Sequence, residues 1–176
     1  MGVNASVVLY PEGEPPNDLD CESFCLSLFR VVQESGLVLP VSLEGTVEKN
    51  RYPGFWADRL PGVGFSLPAK YVSPSANLLV FTQTVEEFWD GRAPEGENPS
   101  ELALPDITVE VLDHSRPLKN RYNDEIICQT WAMVGFDFGD CRLCDEIHTI
   151  RDERHPVFEK LESFFKSKVR WTIVPY

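Results

Sequence analysis

Two cysteines separated by two residues, Cys141 and Cys144, with His148 four positions on and His155 beyond, are the nearest this chain comes to a metal-ligand set. Paired thiolates at that spacing can grip a tetrahedral ion and an imidazole can extend the shell, so Cys141, Cys144 and His148 mark a candidate zinc site. The second thiol pair that closes a zinc ribbon is missing, and cysteine also serves as a small apolar residue. As a redox dithiol the pair would want its first sulfur at a helix N-terminus, and no thioredoxin-type β-α unit precedes it. The expectation is no cofactor, with zinc as the alternative.

Asp113-His114-Ser115 contains the residue types of a nucleophilic triad. Neighbouring side chains on a strand point to opposite faces, whereas a triad must converge, so these three read as a polar strand end entering a turn before Pro117. Glu86, Glu87 and Asp90 could supply paired carboxylates for acid-base hydrolysis. Acids in the first turn of a helix are equally explained by its dipole. Gly62-Val63-Gly64 has no following lysine and is no phosphate loop.

The stretch from Arg51 to Tyr71 mixes aromatic residues with cations. Arg51, Tyr52, Phe55, Trp56, Arg59 and Phe65 are of types enriched at interface hot spots and in ligand pockets, where arginine can hold a carboxylate. With Glu86 and Glu87 they form the candidate binding set. The competing reading folds this loop over a sheet, its aromatics completing the core, because exposing so many large apolar groups is unfavourable.

The elements that must position these residues read as a mixture of strands and helices. Ser6–Tyr10 is a β-branched run closed by Pro11. Leu19–Ser35 follows as a helix with Cys21, Phe24, Cys25, Leu28, Phe29 and Val32 on one face, capped by Asp18 or Asp20 and stopped by Gly36. Leu37–Leu43 is a strand interrupted by Pro40. Residues 45–76 show no period and read as a long loop, and 91–105 as an acidic mobile one. Asn77–Gln83 is a strand and Thr84–Trp89 a short helix opened by a capping box. Ile107–Leu112 is a strand, and Glu125–Phe138 a central one with both faces covered. His155-Pro156 leads a helix with Val157, Phe158, Leu161, Phe164 and Phe165 on one face, and Val169–Val174 closes the chain as a strand. The expected fold is α+β, a single domain over 1–176. Two main helices lie on one face of a largely antiparallel or mixed sheet, with a ferredoxin-like split β-α-β unit as one topology.

At 176 residues, 43% hydrophobic and 11% aromatic, the chain can bury a sizeable core. No run reaches the length of a membrane span, Met1–Tyr10 lacks the features of a secretory signal, and five cysteines suit a reducing cytoplasm better than a disulfide framework. Met1-Gly2 with Ser6 fits the short myristoylation pattern, but no polybasic patch supplies a second anchor.

Charge is sorted along the chain. Residues 1–48 carry a net −7, residues 49–85 +3, residues 86–110 −7 and residues 111–176 −1, together −12. Such a field repels phosphate backbones and anionic lipids and favours basic partners. The leading expectation is therefore a soluble, non-catalytic interaction protein of immunity or inhibitor type that binds a basic protein rather than nucleic acid or membrane. The alternatives are a ligand-binding protein or hydrolase with the aromatic loop as lid, and a zinc-stabilised domain.

Overall fold

The computed structural model describes residues 4–36, 38, 48–50, 63–67, 106–120, 123–140 and 156–175. They form six strands and two helices in the order β1 (Asn4–Pro11), α1 (Cys21–Glu34), β2 (Glu48–Asn50), β3 (Val63–Leu67), β4 (Asp106–Lys119), β5 (Ile126–Asp140), α2 (Pro156–Phe165) and β6 (Val169–Pro175). One sheet has the strand order β2-β3-β4-β5-β1-β6, and each described pairing is antiparallel. This is the α+β class. β5 and β6, the strands that flank α2, run parallel to each other with β1 antiparallel between them, which is the arrangement of a split β-α-β unit.

The meander β2 to β5 is local in sequence, but β1 is not. It lies between β5 and β6, with Leu9 opposite Val134 on one side and Trp171 on the other. Its alternation decides the layering. Val7 and Leu9 are fully buried in the cluster that includes both helices, while Val8 is fully buried in a second cluster with Leu112, Leu118, Met133 and Val174. Since successive side chains of a strand face opposite ways, this second cluster lies on the side of the sheet away from the helices.

Helix α1 begins where the sequence asks it to. Asp20 is the N-cap, its carboxylate accepting from the Ser23 backbone N–H at 3.2 Å, and Glu22 stands in the first turn. Gly36 follows the last turn at φ +82°, a conformation that glycine adopts without a Cβ penalty. Cys25, Leu28, Phe29 and Val32 are buried, and the Phe29 ring lies 6.1 Å from that of Phe65 on β3. Helix α2 packs beside α1. Phe24 of α1 lies 4.8 Å from Phe164 and 5.2 Å from Trp131 of β5, so the two helices and the sheet meet in one aromatic cluster.

Two sequence expectations need correction. Residues 45–76 are not without regular structure, because β2 and β3 lie within them. The alternation Val63-Gly64-Phe65-Ser66-Leu67 carries the signal, with Phe65 and Leu67 buried, but flanking prolines and glycines mask so short a run. The turn expected before Pro117 lies later. β4 runs on to Lys119, and the chain reverses through Asn120–Glu125, where Asp124 adopts φ +58° and Asn123 Oδ1 accepts from the Glu125 N–H. What stands at 112–115 is an irregularity of the ladder, since Val111 pairs Ala132 whereas Arg116 pairs Thr130. The expectations for 39–47, 77–105 and 141–155 lie outside the described residues.

Truncating Phe29, which is fully buried, to alanine is expected to cost about 3–5 kcal/mol in denaturant unfolding. At the end of α2, Lys166 holds φ +55°, and the Ser167 N–H donates to the Glu162 carbonyl at 3.3 Å. A left-handed position closing a helix in this way favours glycine. Lys166→Gly is therefore expected to raise stability by up to about 1 kcal/mol in the same assay.

Candidate functional site: the acidic end of the sheet

Antiparallel pairing sends the end of β1, the start of β5, the end of β4 and the start of β6 to one end of the sheet. The connection from β1 to α1 crosses this end carrying Glu12, Glu14, Asp18 and Asp20, and no base lies between Pro11 and Glu22. The irregularity in β4 brings Asp113 and His114 out here, 69% and 56% exposed in their side chains. Opposite it, the buried Thr130 hydroxyl accepts from the Ala132 N–H at 3.4 Å and donates to the Ala132 carbonyl at 3.0 Å, tying the main chain where the ladder slips.

Cys21, the first residue of α1, records how these elements converge. Burial raises its thiol pKa, and the carboxylates of Asp113 on β4 and Asp20 at the helix cap raise it further. Two acids from distant parts of the chain thus act on one sulfur. A thiol at a helix N-terminus is ordinarily activated, and here the acidic surroundings oppose that.

His114 Nδ1 is hydrogen-bonded to Asp113 Oδ1, which fixes the imidazole and leaves Nε2 as the second proton site. The triad reading of these residues is not assembled. The Ser115 hydroxyl is buried and makes no hydrogen bond, so His114 does not draw its proton. The Cys21 thiol is shifted away from the thiolate. What this end offers chemically is fixed negative charge with one anchored imidazole, suited to meeting cations.

On the far side of the same end, Glu12 pairs with the Arg170 guanidinium, its N–H donates to the Lys168 carbonyl at 2.9 Å, and its carbonyl accepts from the Ser167 hydroxyl at 2.7 Å. Asp18, Asp20 and Glu22 lie at the start of α1 and Asp113 on β4, with Arg116 and Lys119 further along that strand, whereas Lys166, Lys168 and Arg170 follow α2 into β6.

Of the binding residues expected from the sequence, Phe65 is a core residue, 7% exposed. Arg51, Tyr52, Phe55, Trp56, Arg59, Glu86 and Glu87 lie outside the described residues, as do the zinc candidates Cys141, Cys144 and His148. Among the described residues no three His, Cys, Asp or Glu side chains are grouped to hold a metal ion, and Cys21, Cys25 and Cys128 form no disulfide. No described helix is long and apolar enough to cross a membrane. The joint action of Asp20 and Asp113 on Cys21 leaves no local signal in the sequence, because the two acids belong to distant segments; the acid run from Glu12 to Glu22 is the part in view. Compared with models of protein families, curated proteins and solved structures, the chain matches none.

Cys128 on β5 has its thiol pushed up to about 12 by burial, and Tyr10 beside it is raised for the same reason. An unfolded chain releases the thiol proton near pH 9, so the folded state binds more protons above that pH and stability falls toward pH 12. The thiol's full share of this fall is about 4 kcal/mol. Chemical denaturation at pH 8 and pH 11 is expected to show a smaller loss for Cys128→Ala than for the parent chain.

Proposed function

We propose that this chain is an acidic, non-catalytic interaction module that engages a protein partner with a basic surface, as inhibitor and immunity-type proteins do, in a reducing cytoplasm. The observation that carries this reading is the convergence of Asp20 and Asp113 on Cys21, with Asp18 and Glu22 exposed beside them. Charge drawn together from separate parts of the chain acts as one field, which speeds encounter with a cationic surface and disfavours anionic competitors. The net charge of −12 extends that field to the whole chain.

A catalytic reading draws less support from this end of the sheet. A raised thiol is a poor nucleophile at neutral pH, and a hydroxyl that makes no hydrogen bond has no base to activate it. Nucleic acid fits worse still, since binding it requires cations that replace the counterions of the phosphates.

The triple charge reversal D18K/E22K/D113K tests the reading. Proteins captured from lysate by the parent chain at low salt are expected to be basic and to leave as salt rises, with association slowed about tenfold or more by the reversal. Each reversed position is exposed, so a thermal melt close to that of the parent will show that the fold survives. Retention of the same proteins by the reversed chain would reject the proposal.

A further inference from the structure

Among the described strands β6 has one neighbour, β1, and is the last in the sheet order. The Glu12 N–H donates to the Lys168 carbonyl across this pair. In an antiparallel ladder hydrogen-bonded pairs alternate with unbonded ones, so Arg170, Thr172 and Val174 also direct their main-chain groups at β1. Val169 opposes Pro11, a residue with no N–H to give. Val169, Trp171 and Ile173 therefore turn their N–H and C=O groups to the open side. Pro175 ends the row without a donor.

A cleft of about 480 Å³ opens along this edge, lined by Glu159, Glu162 and Phe158 of α2, by Trp171 and Lys168, and by Tyr10 of β1. Edge strands are commonly guarded by charged side chains. Here the Arg170 guanidinium is held by Glu12, and Lys168 stands just before the outward row. Glu159 and Glu162, both exposed, lie three residues apart on the helix that borders the cleft, and Trp171 lines it too.

We propose that the open edge of β6 is a docking strand, to which an extended segment of the partner bearing lysine or arginine adds as a seventh strand, its cation held by Glu159 and Glu162. This rests on the basic-partner reading above and names a surface for it. Main-chain bonds to Val169, Trp171 and Ile173 supply affinity, and the acid pair supplies the preference for a basic side chain. Lys168 repels a cation from its own end of the cleft, so the register with the cation beside Glu159 is favoured.

The test is a titration of the isotope-labelled full chain, followed by amide NMR, with an acetylated heptapeptide of alternating lysine and valine. Amide shifts centred on Val169, Trp171 and Ile173 are expected. Binding should be about tenfold weaker when glutamate replaces lysine, and should be lost when alternate peptide amides are N-methylated. The exposed double variant E159Q/E162Q should bind the two unmethylated peptides alike. Shifts centred on Asp20 and Asp113 would overturn the edge site and leave the basic-partner reading standing. Equal binding of both peptides at the edge would overturn the role of the acid pair. No binding of the lysine peptide, or β6 amides already protected in a concentration-dependent dimer of the chain alone, would overturn the docking strand.

Discussion

β1 has main-chain partners on both edges and fully buried side chains on both faces, and the rest of the architecture depends on that double commitment. Its backbone groups bond to β5 on one side and β6 on the other, while Val7 and Leu9 enter the helix-side core and Val8 the opposite one. A strand so placed can slip by no residue, because a one-residue shift would exchange its two sets of side chains between faces. Without β1 the α2–β6 unit would have no described strand to pair with, and the meander would lose its third long strand. The pairings are also remote in sequence, joining the first strand to the last, so loop entropy is spent before these contacts form.

The helices depend on the sheet that β1 completes. α1 brings Cys25, Leu28, Phe29 and Val32 down onto it, and Cys25 Sγ approaches the Val109 carbonyl at 3.7 Å. α2 adds Val157, Phe158 and Leu161. The aromatic rings of Phe24, Trp131, Phe164 and Phe165 then fix how the two helices sit beside each other, while the Lys160 ammonium donates to the Glu34 carbonyl at 2.7 Å near the end of α1. That carbonyl belongs to the negative end of the helix dipole, a favourable place for a cation.

Function on this account is a consequence of where charge is left once the core is satisfied. The start of α1 must lie over the end of β4 if Phe29 and its neighbours are to be buried. The slip in the β4–β5 ladder places Asp113 there too, so like charges are held close enough to act on a common thiol. Among the cations near the same end, Arg170 on β6 is paired by Glu12.

Much of the fold was legible in local pattern. The face of α1, its cap at Asp20 and stop at Gly36, the strand at Ser6–Tyr10, the long strand through Trp131 and the α2–β6 pair all follow from periodicity and capping chemistry, which act between near neighbours. β3 is hidden because Pro61 and Pro68 leave too short a run to show a period, and Phe65, a binding candidate by residue type, is a core residue. Composition by itself determined that the chain is strongly acidic. Only the tertiary structure decided that β1 is inserted between β5 and β6, that Asp20 and Asp113 both act on Cys21, and that β6 has β1 as its one neighbour among the described strands. Each of these is a pairing between segments far apart in sequence, chosen by the burial of the whole sheet rather than by any local preference of the residues involved.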